Sequence, residues 1–567
     1  MPLSAFHPIL KTWFAERFGA PTLPQARGWK AIAAGHHTLI SAPTGSGKTL
    51  AAFLASIDRL FREGLSGQLR DETSVVYVSP LKALSSDVRK NLQQPLQELE
   101  AAACQAGLLM PPVRVGLRTG DTPPHERQAM IRRPPHILIT TPESLYLCLT
   151  APRSRETLRA VHTVIVDEIH ALLPSKRGSH LALSLERLDE LCRQAGKKVP
   201  QRIGLSATVH PIEEVAHFLV GTSRACEIVD GRPTGPRELD LKVCVPKEPL
   251  GSICSGEQWQ DIHDQVADLI RTHKTTLIFV STRRLCERVA HSLAERLGPE
   301  SVMAHHGSLS RGMRLRVEER LKNGSLKAVV ATASLELGID IGTIDLVCQI
   351  GSPRAISTFL QRVGRANHRP APDAVPRARL FALTVNELVE CTALLRAAHS
   401  GLLDRQIGPQ GSLDVLAQQI VAVCASEEQD ESALLTMCRR AWPFRELMES
   451  EYSSVLTLLS EGVATKRGRG SAHVHHDRVN GKLKGRRGAR IFAAQNGGTI
   501  PEPNDFEVVV EGEEVVVGRL DEEFVTESSP GDIFLLGSNA WRLKRISGGR
   551  AFVSDAAGMA PTVPFWA

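Results

Sequence analysis

Short apolar runs rich in β-branched residues recur along the first 230 positions of this chain, each separated from the next by enough residues for a helix. They read HTLISA, VVYVSP, ILITTP, TVIVDE and RIGLSAT. Continuous apolar runs lack the alternation of a strand with one wet face, so both faces must be covered, and strands joined by helix-length connections pair in parallel. The pattern restarts near residue 265 with TTLIFVST, AVVATAS, LVCQIGS and ARLFALT. The fold class expected is therefore α/β, with two tandem parallel-sheet lobes at 1–228 and 229–404, joined by the Pro/Gly/charge-rich GRPTGPRELD at 231–240. After residue 400 the grammar changes. LDVLAQQIVAVCA and ESALLTMCRRAW have helical spacing and predict a small helical, winged-helix-like module at 405–484. FEVVVEGEEVVVGRL, DIFLLGSNAWRLKRI and RAFVSDA are β-rich runs broken by Gly, Pro and Asn, which predict a barrel-like module at 485–567.

Composition narrows the setting. The 68 basic and 62 acidic side chains leave +6, too mild a surplus to establish nucleic-acid binding by its sum. The 11 cysteines are scattered singly with no CxxC pair, which argues against a zinc ribbon or an iron–sulfur cluster and for a reducing cytoplasm. No run of about 18 apolar residues suggests a membrane span.

Chemistry enters at two places in the first lobe. The run TVIVDEIH ends in Asp167-Glu168-Ile169-His170, a buried strand delivering one carboxylate to a magnesium ion and a second to an attacking water. SAPTGSGKT at 41–49 lies between the apolar HTLI and the helical TLAAFLASIDRL, which is strand, glycine loop, helix. Around phosphate oxygens, Thr44, Gly45, Ser46 and Gly47 supply backbone N–H groups, Lys48 supplies charge, and the Thr49 hydroxyl is a magnesium ligand. Ala42 stands where the pattern usually has its first glycine.

Further strings follow in order: SPLKAL (79–84), RTGDT (118–122), TTPESL (140–145), GLSAT (204–208), FVSTRR (279–284), HHGS (305–308), ATASLELGIDIG (331–342) and QRVGRANHR (361–369). Their order and spacing resemble the motif series of superfamily 2 helicases and translocases. RTGDTPPHER, KRGSHLALSLERLD, LDVLAQQ, GGTIP and GRLDEEFV narrow the resemblance to the Lhr (large helicase-related) family of DNA helicases, from about Phe14 to Trp566. That resemblance implies two RecA-like lobes, ATP and Mg2+ as cofactors, 3′ to 5′ translocation on single-stranded DNA, displacement of the complementary strand and a part in DNA repair. The partners expected are single-stranded DNA and tailed duplexes, with no membrane. An RNA or RNA–DNA hybrid helicase is one alternative, and a DNA-stimulated ATPase or annealing protein without productive unwinding is another.

The resemblance also assigns residues. Gln25 matches an adenine-reading position, an ordinary loop glutamine being the alternative. Gly338 and Asp340 match positions near the ribose, Gln361 faces the attacking water, and Arg365 is the arginine finger, with Arg362 and Arg369 as candidates for a second because His368 takes its usual place. Lys82, Arg118, Thr119, Thr141, Arg283, Ser308 and Thr332 suit backbone phosphates. His170, Ser206 and Thr208 are expected to couple hydrolysis to strand movement, a structural hydrogen-bonding role being the alternative. Ile500 in GGTIP is a candidate wedge against a base and Trp566 a candidate stacking platform, core packing being the alternative for Trp566 and the expectation for Trp541. The run 466–490 holds nine Lys/Arg against one Asp, either a DNA-tracking patch or a solvated linker. Family cores usually continue past PFW, so a chain stopping at Trp566-Ala567 is expected to be a short or truncated form.

Overall fold

The computed structural model describes residues 3–561 apart from 44, 109–110, 233–237, 253, 337–341, 367–374, 409, 466–467, 471, 500–505, 514, 521–523, 526–527, 529 and 548–549, and apart from the side chains of 82–84, 86–87, 90, 311, 463–465 and 468–470. The chain forms two compact units. The first is Met1–Arg232 with Arg405–Ile500, and the second is Pro233–Asp404 with Pro501–Ala567.

In the first unit seven strands form one sheet: β1 (Thr38–Ser41), β2 (Val75–Val78), β3 (Val115–Arg118), β4 (Ile137–Thr140), β5 (Thr163–Val166), β6 (Gln201–Ser206) and β7 (Glu227–Asp230). Their order is β3-β4-β2-β5-β6-β1-β7, and every neighbouring pair is parallel. Strands β1, β2, β4 and β5 are buried along their whole length, as continuous apolar runs require. Because β5, β6 and β1 are neighbours, the loops leaving their carboxyl ends gather on one edge of the sheet, where α/β folds place their ligands.

The helix Lys176–Gln194 buries nearly every residue of its middle turns, polar ones included. One face lies on the sheet; the other meets the helix Leu413–Ser426, more than 200 residues downstream in sequence, in a single apolar cluster that takes in Leu181, Leu185, Leu188, Leu416, Ile420 and Phe444. Polar groups specify the seam. Gln419 accepts from Arg187 Nη1 at 2.8 Å and donates to the His180 carbonyl and Ser184 Oγ, both at 3.1 Å. Trp442 donates its indole N–H to Glu214 at 2.8 Å and stacks on His217 with ring centroids 4.4 Å apart. The Tyr146 hydroxyl donates to the Ala493 carbonyl at 3.2 Å.

Beneath this seam lies a buried ion cluster. Arg202 donates to Glu186 at 2.8 Å and to Asp189 at 2.7 Å, Arg224 contacts the same two carboxylates, and Arg440 from the downstream segment reaches Glu186 at 3.1 Å. The paired arginines hold Glu186 down at about 2 against a burial effect of opposite sign. Residues 429–485 contribute a small antiparallel sheet, β14 (Gln429–Asp430), β17 (Val474–Asp477) and β18 (Lys482–Gly485), while β15 (Val463–Thr465) pairs with β16 (Gly468–Gly470). The described part of the basic run is thus an ordered hairpin leading into the helix Ala489–Gln495, not a linker. Several of its cations serve the module itself: Lys482 lies 3.6 Å from Asp430, Arg478 donates to Glu461 at 2.9 Å, and Arg486 donates to the carbonyls of Val474 and Ser460.

The second unit carries a parallel sheet of β8 (Asp240–Cys244), β9 (Thr276–Phe279), β10 (Val302–His305), β11 (Ala328–Ala331), β12 (Leu346–Ile350) and β13 (Arg377–Phe381), in the order β10-β11-β9-β12-β13-β8. Its other sheet is a curled half-barrel of β19 (Phe506–Val510), β20 (Val516–Leu520), β21 (Ile533–Leu536), β22 (Asn539–Ser547) and β23 (Arg550–Asp555), in the order β20-β19-β23-β22-β21. Trp541 lies in its core, 8% exposed, and donates its N–H to the Leu536 carbonyl at 3.0 Å. The fold is the α/β pair of RecA-like sheets with helical and β-rich additions that the apolar pattern predicts.

Replacing Arg202 by Met leaves Glu186 and Asp189, each at most 1% exposed in its side chain, short of a guanidinium. The expected cost is about 3–5 kcal/mol, read as a lower urea midpoint by tryptophan fluorescence. Arg59→Met, which removes an exposed pair with Glu63, should cost less than about 1 kcal/mol.

Candidate nucleotide site and strand-contact residues

The phosphate loop leaves β1 and turns into the helix Lys48–Leu65 through Gly45 (φ 79°) and Gly47 (φ 80°), both in the left-handed region that favours glycine. Gly47 caps the helix with no side-chain acceptor, so the first-turn N–H groups are left for an anion. Lys48 is 8% exposed, and its ammonium donates to the carbonyls of Ala42 and Pro43. Thr49 follows on the first turn, half-buried. Thr44 lies outside the described residues.

Gln25 is 5% exposed and braces this loop. Its amide oxygen accepts from the Thr22 N–H at 2.9 Å, closing a capping box on the helix Leu23–Ala33, and its amide nitrogen donates to the Gly47 carbonyl at 3.3 Å. A Cβ on Gly47 would stand 2.4 Å from that nitrogen. The Thr22 hydroxyl donates to the Ser46 carbonyl at 3.0 Å, so helix and loop are tied twice.

Asp167 and Glu168 follow β5, 5% and 8% exposed, and Glu168 sits at φ 45°, a strained value for a side chain of its size. Burial and the neighbouring Glu168 charge push Asp167 up to about 7, against a lowering hydrogen bond from Tyr77. The pair is short of positive charge, which a divalent cation supplies, and Asp167 with Thr49 are the groups that would hold it. His170 Nδ1 accepts the Ala207 N–H at 3.2 Å, which places the proton of the neutral ring on Nε2, and the same nitrogen lies 3.6 Å from Glu168. His170 therefore spans the acid pair and the loop after β6. Ser206, the last residue of β6, is fully buried, and Thr208 in the loop is half-buried.

In the second unit Arg365 is 1% exposed and donates to the Glu336 carbonyl at 2.7 and 3.1 Å. Arg362 is committed elsewhere. It pairs with the Glu336 carboxylate at 2.8 Å, donates to Gln349 at 2.6 Å and lies 4.9 Å from the Phe279 ring centroid. Gln361 is half-buried on the helix Ile356–Val363. Gly338, Asp340, His368, Arg369, Ile500 and Trp566 lie outside the described residues, as does the side chain of Lys82.

The hydroxyls that the sequence suggests for strand phosphates are more buried than a surface contact needs. Thr141, 3% exposed, caps the helix Pro142–Thr150 by accepting the Ser144 N–H at 3.4 Å. Thr119, 5% exposed, accepts from Asp121 N–H at 3.3 Å, and Ser308 is 2% exposed with no partner for its hydroxyl among the described residues. Arg118 donates to Ser154 Oγ at 2.7 Å, Arg283 is half-buried at the start of the helix Arg283–Leu297, and Thr332 is half-buried beside the Ala333–Leu335 turn. Among the described residues no group of three His, Cys, Asp or Glu side chains could hold a metal ion, and no helix is long and apolar enough to cross a membrane.

The mycobacterial helicase Lhr from Mycobacterium smegmatis, solved with single-stranded DNA and AMP-PNP, is 44% identical to this chain and superposes with a TM-score of 0.80 over 96% of this chain and 68% of that one. This chain belongs to the Lhr family. Family models agree: DEAD/DEAH box helicase matches residues 22–215, the helicase conserved C-terminal domain 260–369, and the large helicase-related protein winged helix domain 396–563. The Lhr helicase and probable uracil glycosylase of Mycolicibacterium smegmatis is 42% identical over all of this chain and 39% of its own length. An ATP-dependent helicase Lhr-Core of Saccharolobus solfataricus is 42% identical over 99% of this chain and 63% of its own. The chain thus spans less than two thirds of these curated relatives.

Two parts of this Lhr site escaped the sequence reading. Tyr77 lies in the middle of an apolar strand run, where an aromatic reads as core, yet its hydroxyl donates to Asp167 Oδ2 while its ring stacks on Phe53 of the helix that begins at Lys48. The available signal was a phenol with no polar neighbour in sequence, since a buried hydroxyl must find a partner. The second is Gln418 of LDVLAQQ, which donates to the Gly498 carbonyl at 2.9 Å and to the Asn496 carbonyl, and so holds the approach to GGTIP. Tyr77→Phe should weaken divalent-metal binding, titrated in the presence of a non-hydrolysable nucleoside triphosphate, by about tenfold, as loss of a group orienting a metal ligand does.

Proposed function

We propose that this chain is a DNA-dependent ATPase that moves 3′ to 5′ along single-stranded DNA and displaces the complementary strand, in the service of DNA repair in the cytoplasm. The observation that carries the reading is the arrangement at the ends of β1, β5 and β6. A phosphate-binding loop, an acid pair and a histidine relay occupy one sheet edge, in a chain 44% identical to an Lhr helicase solved with single-stranded DNA and AMP-PNP.

Lys48 exchanges its loop carbonyls for the β and γ phosphates when ATP enters, and the first-turn N–H groups close around the same oxygens. A magnesium ion held by Thr49 and Asp167 would neutralise phosphate charge. Glu168 accepts a proton from the attacking water. Gln361 orients that water, and Arg365 leaves the Glu336 carbonyl to neutralise charge growing on the γ-phosphoryl group. His170 passes changes at Glu168 to Ala207 and so to the strand-binding surface. Arg118, Arg283, Thr332 and the exposed main chain of Gly307 beside Ser308 hold backbone phosphates, which gives binding without sequence preference. We assign Arg365 as the finger, a reading supported by the engagement of Arg362 with the Glu336 carboxylate, Gln349 and the Phe279 ring.

Single-stranded DNA should raise the ATPase rate strongly above a low basal value, and a matched RNA strand should raise it less. Lys48→Ala and Glu168→Gln should abolish hydrolysis, and Arg365→Ala should lower kcat by about 10³ or more. A duplex with a 3′ tail should be opened and one with a 5′ tail left intact. Absence of DNA stimulation in a pure sample sinks the proposal, and ATPase without displacement points to a strand-binding or annealing protein.

A further inference from the structure

His305 ends β10 and His306 follows it, and the two rings find partners on different elements. His305 bonds Ser334 Oγ at 2.9 Å and Glu318 at 3.1 Å, which ties it to the turn after β11. His306 Nδ1 accepts the Ser308 N–H at 3.3 Å, so the proton lies on Nε2, and that N–H donates to Glu287 at 2.6 Å. Glu287 is fully buried on the helix that starts at Arg283.

The same carboxylate accepts two more N–H groups, from Gly537 at 2.7 Å and Ser538 at 3.0 Å. These residues form the two-residue turn between β21 and β22, and both have left-handed φ, 66° and 67°, the geometry of a tight hairpin. The edge of the half-barrel grips the loop a second time. Arg519 N–H donates to the Ser308 carbonyl at 2.6 Å, Ser310 N–H to the Val517 carbonyl at 3.3 Å, and Leu309 enters the apolar core of that sheet. The Gly307-Ser308 loop is therefore held by the C-terminal sheet from both sides, with Glu287 as the one charged group among these contacts.

We propose that Glu287 is a positioning residue: by binding His306 and the Gly537-Ser538 turn together, it fixes the Ser308 loop in the form that grips the DNA strand, which makes the C-terminal half-barrel part of strand binding. The proposal rests on the strand-binding function put forward above. It goes beyond that reading because Glu287 meets neither nucleotide nor strand and acts only through its neighbours.

Glu287→Gln keeps the volume but turns one acceptor oxygen into an NH2 donor: Oε1 takes both the His306 and the Gly537 N–H and Oε2 takes the Ser538 N–H, so either orientation of the amide sets donor against donor and loosens the link between His306 and the turn. The half-saturating concentration of a single-stranded oligonucleotide in the ATPase assay should rise about tenfold, the worth of a misplaced hydrogen-bonding contact, while kcat at saturating DNA stays within about twofold. The dissociation constant from fluorescence anisotropy should move in parallel, in protein whose melting profile shows it folded. A folded variant with an unchanged half-saturating concentration, or with kcat lowered at unchanged half-saturation, overturns the proposal. If E287Q does not fold, Gly518→Ala tests the same loop from the sheet side, since its Cβ would come 2.6 Å from the Ser308 carbonyl. The same rise is expected there, and its absence overturns the proposal equally. Wild-type protein that DNA does not stimulate removes the functional reading and this inference together, whereas a stimulated wild type with normal variants removes only this inference.

Discussion

The parallel ladder between β1 and β6 does not stop where the strands stop. Ser41 lies opposite Ser206, and the next N–H, that of Ala42, donates to the Ser206 carbonyl at 3.1 Å, while the Ser41 hydroxyl donates to the Ala207 carbonyl at 3.0 Å. One more residue along, Ala207 N–H goes to His170. Main-chain hydrogen bonds thus register the start of the phosphate loop against the segment after β6, and His170 registers that segment against the acid pair. The site is assembled from three stretches of chain more than 120 residues apart at their extremes, and its alignment is set mainly by backbone geometry, which side-chain substitution on the surface barely disturbs.

The central strands of both parallel sheets were legible in the sequence because a strand buried on both faces must be apolar throughout, and HTLI, VVYV, ILIT and TVIV admit little else, whereas the edge strands β3, β7, β8 and β10 are only partly buried and escaped that pattern. The phosphate loop was legible for a different reason: backbone approach to an anion demands glycines at set spacing, and Gly45 and Gly47 duly have positive φ. What stayed hidden depends on partners remote in sequence. The basic run looked equally like a DNA track or a linker because its order comes from β14 and from acids such as Asp430 and Glu461, which no local pattern connects to Lys482 or Arg478. Thr141 looked like a phosphate ligand, and a threonine that opens a helix looks the same in sequence as one that meets DNA. Tyr77 read as packing, since a strand pattern records hydrophobicity and is silent about where a hydroxyl points.

Buried charge is used differently in the two units. In the first, Glu186 and Asp189 are compensated by Arg202, Arg224 and Arg440, a network whose work is to bind the downstream segment to the first sheet. In the second, Glu287 is satisfied by three N–H groups instead. A guanidinium cluster tolerates some misalignment because Coulomb attraction falls slowly with distance, whereas N–H donors demand direction. The second arrangement therefore fixes orientation more sharply than it adds stability.

Each unit is discontinuous in the chain, the first closing only with residues 405–500 and the second only with residues 501–567. During synthesis the apolar face of the helix Lys176–Gln194 must wait for the helix Leu413–Ser426, more than 200 residues later, before it is covered. Neither unit can be finished while the other is still unmade. A chain cut short near residue 404 therefore carries an uncovered apolar surface that invites aggregation, because the segment that covers it lies beyond the whole second parallel sheet in the order of the sequence.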